Sequence, residues 1–248
     1  MVELKTPDEI ARMRRAGAVV GRLLQFLETR IAPGVKTKEL DRQAAEFIRR
    51  EGAQPAFLGY RGFPATICVS INDEVVHGIP GERVIREGDV VSIDAGAVVE
   101  GFYGDAAVTV AVGPVSSKIQ RLIDVTRQAL EEAIALMRPE ARLSDLSHAV
   151  QQTVERAGFG VVRDFVGHGI GRAMHEDPPV PNYGPPHRGL RLKPGMVLAI
   201  EPMVTLGHWD VRVLEDGWTA VTKDHSPAAH FEHTIAVTQQ GPDVLTRA

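Results

Sequence analysis

The chain has 248 residues, enough for one large unit or two small ones and for a sizeable hydrophobic core. Hydrophobic residues make up 44% and charged residues 24%, which excludes a disordered or fibrous chain, and the balance of 28 basic against 32 acidic residues (net −4) excludes a DNA binder held by bulk positive charge, though not a local basic patch. The single cysteine precludes an internal disulfide, no stretch approaches the ~20 apolar residues that span a bilayer, and the charged opening MVELKTPDEI holds no signal-peptide core, so a soluble cytoplasmic protein with no membrane partner is expected.

In chain order, an amphipathic stretch at 10–31 leads to Pro33 and then to a helix starting near Thr37. Leu40, Ala44, Phe47 and Ile48 share one face of that helix, and Gly52 stops it. REGDVVSID at 86–94 reads as a glycine turn and a strand ending at Asp94. A turn at 100–101 and a returning strand through Val108 and Val110 make a hairpin that brings Asp94 beside Asp105. A second amphipathic stretch at 119–137 leads to Pro139 and to a helix starting near Ser144, with Leu146, Val150 and Val154 on one face and Gly158 as its stop. KPGMVLAIE at 193–201 repeats the turn and strand and ends at Glu201. Residues 234–237 form a strand just after Glu232, with Trp218 in the loop between the two glutamates.

This order is a repeat. Gly88, Val90, Ile93 and Asp94 fall opposite Gly195, Val197, Ile200 and Glu201, an offset of 195 − 88 = 107. Pro33, Leu40, Ile48 and Gly52 fall opposite Pro139, Leu146, Val154 and Gly158, an offset of 139 − 33 = 106. Two features at almost one offset point to an internal duplication. An α+β chain is expected, with no Pro-, Gly- or Ser-rich linker dividing it: one domain over 1–248, with pseudo-symmetric halves at about 1–112 and 113–248.

Under that duplication Asp94 and Asp105 face Glu201 and Glu232. Four converging carboxylates repel one another unless divalent cations lie between them. VGHGIGRAMHE at 166–176 adds His168, with Gly167, Gly169 and Gly171 letting the backbone approach a ligand, and His175 followed by Glu176. His77 precedes a glycine in VVHGIP. The other six histidines, His148, His187, His208, His225, His230 and His233, read as surface or structural, with His233 set apart only because it adjoins Glu232. One histidine and four carboxylates make an oxygen-rich site suited to Mn, Fe, Co or Zn. Bridging carboxylates let five side chains hold two such ions ~3.5–4 Å apart.

With these residues in place, the chain resembles the type I methionine aminopeptidases of the pita-bread metallopeptidase family. The motifs HGIP, SID, GHGIGR, KPGM, IEPM and EHTI carry the resemblance, which runs from KTPDEI at 5–10 to HTIAVT at 233–238. It implies a pita-bread fold, in which antiparallel strands of two pseudo-symmetric halves form a central sheet flanked by helices. It puts the family's ordered ligand set on Asp94, Asp105, His168, Glu201 and Glu232, holding two divalent metal ions (Co, Mn, Fe or Zn), with hydrolysis by a metal-bridging hydroxide. It makes Glu201 also a proton shuttle. His175 would hydrogen-bond the scissile carbonyl or its oxyanion, His77 would contact the amide beyond the scissile bond and help the leaving group, and Asp94 would help hold the free α-amino group. Phe57, Tyr60, Phe63, Cys68, Met174 and Trp218 would surround a methionine side chain. Phe57 and Phe63 stand where a common bacterial pattern has Cys and Tyr, swaps that keep the pocket apolar and bear on inhibitor preference. The implied reaction removes the initiator methionine from nascent chains when the second residue is small, by a monomer, and is compatible with transient association with the ribosome.

The alternative of the same fold is an X-Pro aminopeptidase or dipeptidase. Those relatives usually carry a large N-terminal domain, for which a helix pattern beginning by Pro7 leaves no room. Type II methionine enzymes carry a long insertion between the last two glutamates, against a spacing here of 232 − 201 = 31 residues. A binding protein of this fold that had lost its metal would lack ligands, and all five are present. Cys68 reads equally as an inert buried thiol or a pocket contact, and not as a nucleophile, since no base is arranged for it.

Overall fold

The chain enters α1 (Pro7–Glu28) through a capping box. Thr6 Oγ1 accepts the Glu9 N–H at 3.3 Å, and the Glu9 carboxylate accepts the Thr6 N–H at 2.9 Å. This computed structural model describes residues 2–247; Met1 and Ala248, the outermost residues of the expected single domain, lie outside the described residues. α2 (Thr37–Arg50) follows in the first half, and α3 (Ser117–Ala135) and α4 (Leu143–Arg156) in the second. α2 and α4 are both 14 residues long and start 143 − 37 = 106 positions apart. Each is followed by a left-handed glycine, Gly52 (φ 72) or Gly158 (φ 83), and by equivalent closing bonds, Ala53 N–H to Ile48 O at 3.1 Å and Phe159 N–H to Val154 O at 3.2 Å.

The first-half strands are β1 (Gln54–Pro55), β2 (Ile67–Ile71), β3 (Glu74–Val76), β4 (Val90–Val99) and β5 (Phe102–Ala111). β4 pairs along its whole length with β5 and, on its other edge, with β2 and then β1, always antiparallel. The β4–β5 turn has two left-handed residues, Glu100 (φ 50) and Gly101 (φ 79), the two-residue geometry whose twist matches the strands it joins. Asp94 therefore lies in the middle of β4. The sequence reading ended the strand at Asp94; a tight turn at 100–101 keeps both strands paired up to it.

The second-half strands are β6 (Gly160–Val161), β7 (Gly167–Gly169), β8 (Glu176–Val180), β9 (Val197–Ile200), β10 (Met203–Thr205), β11 (Val211–Val213), β12 (Ala220–Thr222), β13 (Ala228–His230), β14 (His233–Thr238) and β15 (Gly241–Val244). Five of them form a sheet in the order β15-β14-β9-β7-β8. The segment between Glu201 and Glu232, expected as a loop, instead carries β10 to β13, which join β6 and β3 in two three-stranded sheets, β13-β10-β6 and β11-β12-β3. Their strands have only two or three residues, too short for a periodic signal.

The two larger sheets meet where β5 passes the start of β14. Ala107 and Glu232 bridge antiparallel, with Glu232 N–H to Ala107 O at 3.0 Å. Thr234 Oγ1 accepts the Asp105 N–H at 3.0 Å and donates to the Asp105 carbonyl at 2.8 Å. One apolar cluster, with Leu23, Leu40 and Ile93, lies under the first-half sheet, and another, with Leu130, Val150 and Leu198, under the second. Among the described residues, no helix is long and apolar enough to cross a membrane.

Candidate metal centre

Strand register assembles the carboxylates. Across the β2–β4–β5 ladder Cys68 stands opposite Asp94, and Asp94 opposite Ala107. Asp105 is two residues from Ala107, so it shares a face with Asp94 as its diagonal neighbour. Glu232 bridges to Ala107 from the other sheet, and Glu201 directly follows β9, whose Ile200 pairs with His233. His168 pairs with Ala199, two residues before Glu201, and its Nε2 lies 3.5 Å from Glu201 Oε1. His168 Nδ1 lies 2.9 Å from the Gly169 carbonyl. A carbonyl only accepts, so Nδ1 carries the proton and Nε2 presents its lone pair to the carboxylates.

The carboxylates lack the partners that burial demands. Asp105 and Glu232 are buried, and Asp94 Oδ1, Asp105 Oδ1 and Glu232 Oε1 have no hydrogen-bond partner among the described residues. Burial pushes Asp94 up to about 7. Burial, and then neighbouring carboxylates, push Asp105, Glu201 and Glu232 well above the ordinary carboxylate range. Burial, with His175 nearby, pulls His168 down to about 4, which keeps it neutral. Ligand atoms of Asp105, His168 and Glu232 lie within 4.8 Å of one another. Buried acidic oxygens without donors, beside a neutral imidazole with a free lone pair, fit divalent cations.

Every expected site residue lines one cleft. Asp94, Asp105, His168, Glu201 and Glu232 are joined there by His77, His175, Phe57, Tyr60, Phe63, Cys68, Met174 and Trp218. Phe63 meets Trp218 edge-on at 5.1 Å between ring centres. The Cys68 thiol is pushed well up by burial and by Asp94, Asp105 and Glu232, so it remains protonated. His175 Nδ1 is 2.9 Å from the Tyr60 hydroxyl, and burial and Arg61 hold its pKa below the ordinary value. Burial, and then His175, pull His77 down to about 4. His77 (φ 61) and Arg61 (φ 49) both hold the left-handed backbone that side chains rarely adopt, a strain that clusters at functional sites.

The segment carrying His175 is pinned by Glu176. Its carboxylate accepts the Arg172 and Ala173 N–H groups at 2.7 and 3.0 Å and pairs with the buried Lys5 ammonium at 2.8 Å. The neighbouring glycines serve packing instead of the ligand approach expected from the sequence: a Cβ on Gly167 would meet the Ala199 carbonyl oxygen at 2.4 Å, and one on Gly169 the Asp177 carbonyl oxygen at 2.1 Å.

Sequence reasoning missed the cleft residues Arg61, Val76, Phe165, Val166 and Met203. It also set His230 aside as surface or structural. His230 is 1% exposed, with Nε2 3.9 Å from both Glu201 Oε2 and Glu232 Oε2. The two-residue period of a strand was the signal, since it puts His230 on the side of Glu232 and turns His233 away to meet Thr246 Oγ1 at 2.8 Å. His187, His208 and His225 are exposed, and half-buried His148 Nδ1 meets the Gly184 carbonyl at 3.1 Å.

A cleft walled by aromatic and sulfur-bearing side chains over carboxylates and imidazole fits a metallohydrolase. The model of metallopeptidase family M24 matches residues 11–239. The chain is 52% identical to methionine aminopeptidase 1 of Bacillus subtilis over 247 residues, covering 100% of both. A crystal structure of methionine aminopeptidase from Thermotoga maritima superposes with a TM-score of 0.99 at 50% identity, covering 100% of each chain. The chain therefore belongs to metallopeptidase family M24 and, within it, to the type I methionine aminopeptidases of the pita-bread fold. Prolidase from Pyrococcus furiosus shares the fold at a TM-score of 0.81 and 22% identity, with 99% of this chain and 65% of that one covered.

Proposed function

We propose that this chain removes the initiator methionine from nascent polypeptides and peptides whose second residue is small. One observation carries the reading: Asp94, Asp105, His168, Glu201 and Glu232 meet at an apolar cleft with buried carboxylate oxygens unpartnered. We read them as the ligands of two divalent cations, Co, Mn, Fe or Zn, since carboxylates bridge and the donor set suits first-row ions. A divalent cation bound there polarises a carbonyl and acidifies a water molecule.

The protein's own groups do the rest. Phe57, Phe63, Cys68, Met174 and Trp218, with the ring of Tyr60, take up the thioether side chain, which packs well on aromatic edges. Asp94 holds the free α-amino group. Glu201 takes a proton from the attacking water and passes it to the leaving amine. When Tyr60 donates to His175 Nδ1, the one proton of the neutral ring sits on Nε2, free to bond the scissile carbonyl oxygen as it gains charge. His77 bonds the amide beyond the scissile bond.

The same reading makes residues 1–248 one catalytic unit. Its halves, about 1–112 and 113–248, descend from a duplicated half, which the equal helices α2 and α4 support. It acts as a cytoplasmic monomer that meets nascent chains transiently at the ribosome.

The test strips the purified protein with a chelator, restores each cation singly, and assays Met-Ala-Ser against Ala-Pro-Ser. Metal-dependent release of methionine is expected. Release of alanine with methionine left in place would move the assignment to the X-Pro branch.

A further inference from the structure

His230 ends β13, where Met203 of β10 pairs with it. Its backbone is clamped from the other half: its N–H donates to Thr109 Oγ1 at 2.8 Å, and Thr109 Oγ1 donates to its carbonyl at 2.6 Å. The backbone from which the ring projects is therefore fixed in a buried strand. His230 is 1% exposed, and Nε2 has no hydrogen-bond partner among the described residues. A buried polar atom left unmatched costs ~1–3 kcal/mol, so an orphan with a fixed backbone calls for a partner that the protein atoms do not supply.

The surroundings define that partner. Nε2 is 3.9 Å from Glu201 Oε2 and 3.9 Å from Glu232 Oε2, too far for hydrogen bonds to either. Donors bound to one first-row cation at ~2.0–2.2 Å each stand ~3–4 Å apart. Ligand atoms of Glu201, His230 and Glu232 lie within 4.8 Å of one another. A second group, Asp105, His168 and Glu232, meets the same criterion, and Glu232 is common to both. Glu201 offers one oxygen to each ring: Oε1 lies 3.5 Å from His168 Nε2, and Oε2 lies 3.9 Å from His230 Nε2.

We propose that His230 is a sixth metal ligand, whose Nε2 coordinates a cation between Glu201 and Glu232. This rests on the reading of the cluster as a metal centre. It brings a second imidazole into the carboxylate ring. A second nitrogen donor favours borderline ions such as Zn, Co and Fe over Mn and Mg.

The test is nitrogen NMR of protein with ¹⁵N-labelled histidine, stripped of metal and titrated with Zn²⁺. Two imidazole Nε2 signals, assigned to His168 and His230 by substitution, are expected to move to the metal-bound range. H230Q should remove one of them and weaken zinc affinity roughly 10-fold or more. If zinc binds and only the His168 signal moves, the proposal is overturned while the metal centre stands. If no zinc binds and neither signal moves, both fail. If H230Q fails to fold, H230N supplies the same assignment.

Discussion

The Tyr60 hydroxyl meets His175 Nδ1 at 2.9 Å, and their rings stack with centres 5.4 Å apart. With the hydroxyl as donor, Nδ1 accepts and the proton of the neutral ring faces the cleft on Nε2. Y60F leaves the stack and removes the hydroxyl, so the ring is freed to place its proton on either nitrogen. We expect kcat to fall roughly 10-fold, the equivalent of one hydrogen bond of ~1–1.5 kcal/mol, with metal content unchanged. Steady-state kinetics with metal analysis checks this. An unchanged kcat would remove Tyr60 from the chemistry.

Ligands and helpers should separate cleanly. D105N and E232Q should weaken metal binding and abolish most activity, because each removes charge from the ring. H77A and H175A should keep their metal and lose roughly 10²–10⁴-fold in rate, the range of one positioned acid or oxyanion donor. Metal analysis beside kcat/KM decides. A metal-free H77A or H175A would reassign that histidine as a ligand.

The metal-free protein should lose stability as pH rises through neutrality. Asp94, raised to about 7, and Asp105, Glu201 and Glu232, raised well above their ordinary range, bind more protons folded than unfolded. Their contribution is full below the ordinary carboxylate range and fades as pH passes the folded values. Burial depresses His77, His168 and His233 to about 4 and His230 to about 3, with the opposite sign, but that effect ends near the ordinary histidine value of 6.5. Between pH 6.5 and 8 the carboxylates act alone among these groups, so the Tm of stripped protein should fall. Cations that replace the protons should give a Tm gain that widens over the same window. Calorimetry with and without Mn²⁺ at several pH values measures both, and a gain that shrinks as pH rises would contradict the assignment.

The repeat was legible because its helices are long enough to show a period and its glycines sit where the backbone turns left-handed; α2 and α4 recur at the offset read from Pro33 and Pro139. The pairing of Asp94 with Asp105 was legible because a two-residue turn fixes register. His230 was harder to read, because β13 has three residues and only the two-residue step to Glu232 marks its side of the chain. Arg61 and Val76 were not legible, because nothing local says which side chains a distant segment will cover. The role of Gly167 and Gly169 was misjudged for the same reason: the chains they admit, at Ala199 and Asp177, lie far away in sequence or across a sharp bend.

Glu176 pins the segment that carries His175 without touching a reacting atom. Its carboxylate ties Arg172, Ala173 and Lys5 together just beside His175. E176A strands the Lys5 ammonium, 1% exposed, with only the exposed Glu3, among the described residues, left to pair at 3.0 Å. Removing one partner of a buried pair costs ~3–5 kcal/mol. K5M should cost less, because the Glu176 carboxylate keeps its two backbone donors. Urea unfolding of both variants tests the order, and the reverse order would contradict it.

Substrate choice tests the whole cleft. A free amine should be required, because Asp94, which lines the cleft, is proposed to hold it, and a formylated N-terminus has no charge to offer there. Methionine is preferred because Phe57, Phe63, Cys68, Met174 and Trp218 give an apolar wall rich in aromatic edges and sulfur. On the proposed roles of His77 and His175, the residue after methionine passes close to both, and Arg61 lines the same cleft. Gly, Ala, Ser, Pro, Thr, Val or Cys should pass. A long side chain would push the carbonyl away from His175, and a displacement of ~1 Å costs on the order of 10² in rate. Lysine and arginine should fare worst of the long residues, since their charge repels the Arg61 guanidinium as well. In a series Met-X-Gly, kcat/KM should fall at least ~10²-fold from X = Ala to X = Lys. R61A should narrow the gap between X = Lys and X = Leu while leaving X = Ala unchanged. Equal rates for alanine and lysine in the native protein would show that the histidines do not confine the second residue, and an unchanged gap in R61A would show that Arg61 plays no part.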